Sequence, residues 1–375
     1  MKHVSEFPRQ IVEHPDMAIV MPDGTRLSAR VWMPEDAKEN PVPVIVEHLP
    51  YRKRDGTIVR DQYTHPWMAG HGYCCVRVDM RGNGDSEGLM EDEYSPQELA
   101  DAVETINWLA SQPWCNGNVG MTGTSYNGTI PLAAATTGVE ALKAINPIAP
   151  NTSYYHYYRS NGLVRHPGGY MGEDIDVLYD FIHSGNPAKR DYCDCEVGDK
   201  EMAEGRDRIT GDYNAFWAGR DYLNQLDDLK AAVLMSHGFN DWNVMPEHSN
   251  RISQALKAKG VPVQIYYHQN GHGGPPPMKM MNRWFTHYLH GQDNGVEKDA
   301  RAWIVREQDA RIKPTAYKDY PNPGASDVSF YLGSGAPGRG SLSTSKPAKQ
   351  GKETLVDNFS FSGSNLAQAE MTEHR

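Results

Sequence analysis

Short apolar runs along the chain alternate with segments whose apolar residues recur at helical spacing. Nearly continuous apolar runs are typical of strands buried on both faces of a parallel sheet. Such runs predict buried strands at residues 42–46, 73–78, 231–236 and 261–267. An alternating pattern with a Pro-Asp-Gly turn predicts a β-hairpin at a sheet edge over residues 18–32.

Helical signals lie between these runs. Ser95 and Glu98 form a capping box with Pro96 at the first helical position, and apolar residues then recur at helical spacing up to Leu109. A strand at 119–122 is followed by a turn and a run of small residues, which predicts strand, sharp turn and helix. Further helices are predicted at residues 247–259 and 278–289. Repeated βαβ units indicate an α/β fold with a doubly wound, mostly parallel sheet and a site beyond the carboxyl ends of its strands.

The pattern changes twice along the chain. After residue 150 the chain is rich in Tyr, Gly and charged residues, with a predicted helix at 173–182, which indicates an inserted helical cap. Later, β-type fragments at 302–305 and 328–332 are separated by Gly, Ser, Pro and Lys, which indicates the beginning of an all-β domain. The predicted division is a core in two parts (1–150 and 229–293), a helical cap (151–228) and a partial C-terminal β-sandwich (294–375).

Composition excludes several classes of protein. Of 375 residues, 39% are hydrophobic, so the chain is not disordered, and 37 Lys+Arg against 48 Asp+Glu give a net charge of −11, which argues against nucleic-acid binding. No apolar run approaches the length of a membrane span. Five cysteines without CxxC spacing indicate neither a disulfide framework nor a zinc site. We therefore expect a soluble, cytoplasmic protein with reduced thiols.

Two serines compete for the role of nucleophile. Residues 84–88 match the GxSxG pattern literally, whereas residues 123–128 (Gly-Thr-Ser-Tyr-Asn-Gly) miss its last glycine by one position. A nucleophile elbow needs a strand that ends at the serine and a helix that begins after it. Ser125 has both, whereas acidic residues without helical periodicity follow Ser86. We therefore predict Ser125 as the nucleophile and interpret Ser86 as a loop residue.

A serine hydroxyl needs a base to take its proton, and the base needs a carboxylate to orient it. Asp241 follows one late strand and His272 follows the next, so both are expected at the edge where Ser125 lies. We predict Asp241 as the acid and His272 as the base, although on spacing alone Asp241 is equally a turn residue. His268 is an alternative base, and His237 at a strand end is interpreted as structural.

The sequence also contains candidate donors to an oxyanion and one pair of histidines with metal-binding spacing. The backbone N–H of Tyr126 is one oxyanion donor by geometry, and the loop after strand 42–46 offers the hydroxyl of Tyr51 as the second. His268 and His272 have the spacing of a metal-binding pair on a helix, but the glycines beside them argue against a helix there. No metal and no cofactor are predicted.

Several motifs resemble the Xaa-Pro dipeptidyl-peptidases of lactic-acid bacteria and their cocaine-esterase-like and acylase relatives. The resemblance covers most of residues 10–300. The motifs shared with the whole group are Leu-Pro-Tyr-Arg (49–52), Asp-Met-Arg-Gly-Asn-Gly-Asp-Ser (79–86) and the Ser125 motif (123–129). The motifs more specific to the dipeptidyl-peptidases are Ser-Tyr-Tyr-His-Tyr-Tyr-Arg (153–159) with Asn-Gly-Leu-Val (161–164), Pro-Gly-Gly-Tyr (167–170) with Gly-Glu-Asp (172–174), and His-Gly (237–238) with Asn-Asp-Trp-Asn-Val (240–244). This resemblance implies an α/β-hydrolase fold followed by a jelly-roll-like β domain.

By this resemblance Ser125, Asp241 and His272 match the catalytic triad, and Tyr51 with the Tyr126 N–H matches the oxyanion hole. The substrate would be a peptide with a free N-terminus and proline in second position. Four residues match family positions that bind the substrate. Glu173, assisted by Asn243, would bind the α-ammonium group, and Tyr154 and Tyr157 would line the slot for proline. Tyr154 stands where many relatives have Trp. An esterase or amide acylase, and a catalytically impaired fragment or binding protein, remain alternatives, and the sequence leaves a homo-oligomer open.

Overall fold

The computed structural model describes residues 7–54, 57–61, 63–90, 92–160, 162–164, 205–207, 209–334, 340–349 and 352. The chain divides into two compact units, Met1–Tyr317 and Lys318–Arg375. None of the helices formed by the described residues is both long and apolar enough to cross a membrane.

One large sheet dominates the first unit. Its described strands are β1 (Ile11–Val20), β2 (Arg26–Pro34), β3 (Val42–Leu49), β4 (Cys74–Asp79), β5 (Cys115–Thr124), β6 (Leu142–Ile148), β9 (Ala232–Gly238), β10 (Val263–His268), β11 (Ala302–Ile304) and β12 (Thr315–Tyr317), while β7 (Arg159–Ser160) and β8 (Leu163–Val164) form a separate pair. The sheet order is β1-β2-β4-β3-β5-β6-β9-β10-β11-β12. All pairs from β4 to β11 are parallel, which confirms the predicted α/β architecture.

The burial of the strands follows the sequence pattern. The strands β3, β4, β9 and β10 are buried at every position, because helices cover both faces of a parallel sheet. The edge hairpin of β1 and β2 forms as predicted, with Gly24 at φ +88° in its turn. The predicted strands therefore set the frame on which the site is built.

Eight described helices pack around the first unit's strands. They are α1 (Ile58–Asp61), α2 (Thr64–Gly70), α3 (Pro96–Ala110), α4 (Tyr126–Thr136), α5 (Tyr154–Tyr158), α6 (Ala215–Ala218), α7 (Glu247–Ala258) and α8 (Met278–His290). Ser95 caps α3 by accepting the Glu98 N–H at 3.2 Å. The apolar face of α8 buries Trp284 and Phe285 in the core, as its periodicity predicts.

The pattern did not predict β6 and β12, whereas β11 falls on the predicted β-type fragment 302–305. β6 was missed because its sequence, Leu-Lys-Ala-Ile-Asn-Pro-Ile, contains polar residues and a proline. β11 lies in the segment predicted to begin a separate β domain, yet it pairs with β10 in the main sheet, and β12 pairs with β11. The first unit therefore includes these two strands, although the predicted limits of the four segments stay predictions.

The second unit contains a short antiparallel pair, β13 (Tyr331–Gly333) and β14 (Ser341–Ser343). Leu332 lies opposite Leu342 in this pair. The β-type pattern predicted for this part of the chain is thus present there. The helix predicted at 173–182 in the cap lies outside the described residues.

Candidate active site

The predicted nucleophile elbow forms where β5 meets α4. Ser125 joins the two elements with φ 67° and ψ −122°, a conformation that non-glycine residues rarely adopt. Its backbone N–H donates to the Ile148 carbonyl of the neighbouring strand at 2.9 Å, which holds the turn against the sheet. This strained strand-turn-helix arrangement is the one that exposes a nucleophilic hydroxyl at the edge of a parallel sheet.

Two glycines allow the elbow to pack closely. A Cβ on Gly123 would lie 2.1 Å from the Asn127 carbonyl oxygen, and one on Gly128 would lie 2.6 Å from the Ile148 carbonyl oxygen. Neither position therefore accepts a side chain. Position 128, where α4 lies against the end of β6, therefore requires the last glycine of the motif.

Ser86, the literal match to GxSxG, serves a structural purpose. Its side chain is buried, and its Oγ donates to the Asp79 carbonyl at 2.6 Å while accepting the Ser28 N–H at 2.9 Å. The hydroxyl therefore links a loop to the edge hairpin. The interpretation of Ser86 as a loop residue agrees with these contacts.

Asp241 and His272 form a hydrogen-bonded pair. They follow β9 and β10, which are neighbours in the sheet, and His272 Nδ1 lies 2.7 Å from Asp241 Oδ2. Because a carboxylate can only accept, Nδ1 carries a proton, and in the neutral ring Nε2 keeps its lone pair. Asp241 is buried, whereas the His272 side chain is 26% exposed. This pair has the geometry of a general base oriented by a carboxylate.

The Asp241 carboxylate has further donors. Its Oδ1 accepts the backbone N–H groups of Asn243 and Val244, each at 3.0 Å, and its Oδ2 lies 3.1 Å from His237 Nε2. Burial alone would raise the pKa of Asp241, but the hydrogen bonds from His237 and His272 outweigh it and hold this pKa well below its ordinary value. Asp241 is therefore ionised at neutral pH.

His237 lies at a strand end, as predicted, but its contact with Asp241 was not predicted from the sequence. Its Nε2 also lies 2.8 Å from the Val244 carbonyl, which can only accept, so Nε2 carries a proton. Its Nδ1 lies 2.6 Å from Ser249 Oγ on α7. The interpretation of His237 as structural omits this contact with Asp241. A signal was present, the four-residue spacing from His237 to Asp241 across a strand end, but it fits many turns.

The loop that carries His272 returns over the sheet toward Ser125. β6 and β9 separate β5 from β10, so the ends of these two strands lie about 14 Å apart. Gly273 nevertheless approaches Thr124, the residue before Ser125, because a Cβ built on Gly273 would lie 3.4 Å from Thr124 Cγ2. Pro275 lines a small cavity together with Thr124.

The remaining contact of the predicted triad, between Ser125 and His272, stays a prediction. The hydrogen bonds of the described residues do not include one between Ser125 Oγ and His272 Nε2. In unliganded enzymes such bonds are often long and shorten only when substrate binds. The structure thus joins Asp241 to His272 and brings the His272 loop to the end of β5.

The two residues predicted to supply the oxyanion donors have side-chain rings in contact. Tyr126 is the first residue of α4, so its N–H lies at the helix N-terminus and has no acceptor within the helix. The Tyr51 ring packs edge-on against the Tyr126 ring, with centroids 6.5 Å apart. Their roles in binding an oxyanion remain predictions.

The Tyr126 side chain is anchored in the protein interior. Its hydroxyl donates to the Glu98 carboxyl group, with oxygen distances of 2.7 and 2.9 Å, and accepts the Tyr94 N–H at 3.0 Å. Burial raises the pKa of Glu98 well above its ordinary value. The hydrogen bonds of the described residues include none from the Ser95 N–H to the Glu98 carboxyl, which a full capping box would have, and Glu98 instead anchors the residue that follows Ser125.

We predict that Tyr126→Phe destabilises the fold. The substitution leaves the buried Glu98 carboxyl and the Tyr94 N–H without this partner, which should lower the free energy of unfolding by about 1 to 3 kcal/mol. Urea denaturation measures the change. Tyr288→Phe is the control, because the Tyr288 hydroxyl makes no hydrogen bond among the described residues. Equal stability of both variants would contradict the proposed anchor.

The predicted substrate-binding residues have different surroundings. The Tyr157 hydroxyl donates to Asn243 Oδ1 at 2.6 Å, and both side chains are half-buried. Tyr154 is only 1% exposed, and its hydroxyl donates to the Glu93 carboxylate and accepts from Arg206 at 2.6 Å. Direct contact between Tyr154 and a substrate would require the covering side chains to move. Glu173 lies outside the described residues.

Solved structures of other proteins share this fold. A CocE/NonD family hydrolase from Staphylococcus aureus superposes with a TM-score of 0.68 at 19% identity, covering 86% of this chain and 58% of that one. An alpha-amino acid ester hydrolase gives a TM-score of 0.64 at 20% identity, covering 94% and 66%. These likenesses confirm the predicted α/β-hydrolase fold.

Sequence comparisons identify the family. The family model described as X-Pro dipeptidyl-peptidase (S15 family) matches residues 23–274. A Rhodopirellula baltica protein provisionally named Xaa-Pro dipeptidyl-peptidase is 57% identical over 344 residues, covering 87% of this chain and 55% of that protein. The Xaa-Pro dipeptidyl-peptidase of Lacticaseibacillus rhamnosus is 37% identical over 258 residues, covering 62% and 32%. The chain thus spans about half, or less, of the length of these relatives, and it belongs to the X-Pro dipeptidyl-peptidase (S15) family.

Proposed function

We propose that this chain carries the active site of a serine peptidase that releases Xaa-Pro dipeptides from the free N-terminus of peptides. One observation carries the proposal, the 2.7 Å hydrogen bond between His272 and Asp241 at the sheet edge where the Ser125 turn lies. The order Ser, Asp, His along the chain is that of α/β-hydrolases. Membership of the S15 family supports the choice of substrate.

Acylation begins at Ser125. His272 Nε2, the unprotonated nitrogen, takes the hydroxyl proton as Ser125 Oγ attacks the prolyl carbonyl carbon. Asp241 stabilises the resulting imidazolium through the Nδ1 hydrogen bond. His272 then gives the proton to the leaving amine, and the shortened peptide departs. Water, activated by the same base, releases the dipeptide from the acyl-enzyme.

The tetrahedral intermediate places a negative charge near the start of α4. The Tyr126 N–H and the Tyr51 hydroxyl are the proposed donors to this oxyanion. The helix N-terminus adds a favourable field, since the dipole of α4 points its positive end at the site. Anchoring of the Tyr126 side chain by Glu98 supports this role, because it fixes the backbone that carries the donor.

Recognition of the dipeptide needs an acceptor for the ammonium group and an apolar slot for proline. Glu173, with help from Asn243, is the proposed partner of the ammonium group, and the Tyr157 hydroxyl orients the Asn243 amide. The Tyr157 ring lines the proposed slot for the proline ring, which packs well on aromatic faces. Tyr154 is the second residue proposed for this slot, and its buried ring packs edge-on against Tyr94.

A substrate series tests the proposal. The amides Ala-Pro, Ala-Ala and N-acetyl-Ala-Pro, each with the same chromogenic leaving group, are compared with a simple ester. We expect kcat/KM for free Ala-Pro to exceed the others by at least about a hundredfold, because each alternative loses the ammonium contact or the proline contact. Equal or faster turnover of the acetylated amide or the ester would instead identify an acylase or esterase.

A further inference from the structure

A second histidine contacts the His272 loop on both sides. His268 is the last residue of β10 and is fully buried. Its Nδ1 accepts the Asn270 N–H at 3.2 Å, and its Nε2 lies 3.1 Å from the Gly274 carbonyl oxygen. The two contacts therefore fall two residues before and two residues after His272.

Only one protonation state of His268 satisfies both contacts. Asn270 offers a donor, so Nδ1 must carry a lone pair, and Gly274 offers an acceptor, so Nε2 must carry the proton. Burial, and then the nearby Arg311 guanidinium, lower the pKa of His268 to about 4. The neutral form is therefore the one present at neutral pH. A proton on Nδ1 would remove the acceptor for Asn270.

The far side of the loop fits closely against this ring. Gly274 has φ +94°, and a Cβ on it would lie 2.5 Å from His268 Nε2. The Gly274 carbonyl also accepts from Ser236 Oγ of β9 at 2.9 Å. The ends of β9 and β10 thus hold the same carbonyl, two residues beyond His272.

We infer that His268 is a positioning residue, which through its Nε2–H tautomer holds the loop so that His272 faces Ser125. This inference rests on the proposed function, in which His272 is the base. The loop must span three strand spacings to reach β5, so a small change in its path moves the imidazole. A misplacement of about 1 Å at a reacting group lowers a rate by roughly a hundredfold. His268 itself exchanges no proton with the substrate.

Three substitutions separate the two contacts. His268→Phe keeps the ring and removes both hydrogen bonds, His268→Gln keeps a donor near the Nε2 position, and His268→Asn keeps an acceptor near the Nδ1 position. The readouts are kcat and KM on Ala-Pro amide, and the rate of labelling by a fluorophosphonate per folded molecule. The matched control is His48→Phe, because His48 is also buried near the end of a strand and has no hydrogen bond among the described residues.

The expected result is a loss in rate without a loss in binding. His268→Phe should lower kcat and the labelling rate by about a hundredfold with KM within about threefold, since Tyr157 and Asn243 lie on other elements. The values of kcat and of the labelling rate for His268→Gln and His268→Asn should lie between those of His268→Phe and the wild type. His48→Phe should label within about threefold of the wild-type rate.

Other outcomes overturn the inference. If folded His268→Phe labels at the wild-type rate, or if neither polar variant labels faster than it, His268 does not position the loop. If His268→Phe does not fold, the test rests on His268→Gln and His268→Asn. Labelling of both at the wild-type rate would then reject the inference. Failure of the wild-type protein to label at Ser125 would instead reject the proposed function, so the two failures are distinguishable.

Discussion

Replacing Ser125 with alanine should abolish turnover of Ala-Pro amide, with a loss in kcat of about four to six orders of magnitude. Losses of this size follow removal of a serine nucleophile, because the remaining catalysis comes only from binding and the oxyanion donors. The fold should be unaffected. Ser125 Oγ makes no hydrogen bond among the described residues, and alanine has the same backbone preferences at φ 67°.

Ser86→Ala is the matched control for this prediction. Ser86 Oγ makes two buried hydrogen bonds, so its removal should cost about 1 to 3 kcal/mol in the free energy of unfolding. Activity per folded molecule should stay within a few-fold of the wild type. Loss of turnover in Ser86→Ala but not in Ser125→Ala would reverse the assignment of the nucleophile.

The second large effect is expected for Asp241→Asn. The asparagine Oδ1 should still accept hydrogen bonds from the backbone N–H groups of Asn243 and Val244, as Asp241 Oδ1 does in the native protein. Its NH₂ group would then face His272 and His237, where Oδ2 now accepts. His272 could meet this donor only with an unprotonated Nδ1, so its proton would move to Nε2.

That tautomer cannot take the proton of Ser125. We therefore expect kcat for Asp241→Asn to fall by about 10⁴, with KM little changed. Asp299→Asn is a suitable control, since Asp299 pairs with Arg283 at the surface and the change should leave activity within about twofold. An Asp241→Asn variant that retains more than about a tenth of the activity would contradict the role of His272 as base.

The acid stability of the Asp241→Asn variant should also differ from that of the wild type. Because the pKa of Asp241 in the folded protein lies well below 3.8, its ionised form stabilises the fold above that pH, and this contribution is lost as the pH falls. Asp241→Asn lacks the contribution at neutral pH. The urea midpoint of the variant should therefore fall less between pH 7 and pH 3 than that of the wild type.

The strands that place the site could be predicted because burial on both faces leaves a clear pattern. β9 and β10 are largely apolar runs, and parallel neighbours end at the same edge of a sheet. The two residues that follow them, Asp241 and His272, are joined in the structure as this reasoning expects. The path of the His272 loop over β6 and β9 could not be predicted, because it depends on Gly273 and Gly274 at positive φ.

Contacts between buried polar side chains also escaped prediction. Glu98 fits a capping box, but it lies against Tyr126, which is 28 residues later in the chain. β6 was missed because Asn146 looks like a loop residue, whereas its buried amide donates to the Leu234 carbonyl at 2.6 Å. A sequence pattern records which positions avoid water, but a polar residue with a distant partner looks the same as one that is solvated.

The most direct test is a crystal structure of the protein after reaction with a fluorophosphonate. We expect phosphorus to be bonded to the Oγ atom at residue 125, with His272 Nε2 within about 3.2 Å of that oxygen. His272 Nδ1 should remain hydrogen-bonded to the Asp241 carboxylate. Phosphorus on any other residue, or a His272 ring turned away from the adduct, would contradict the proposed active site.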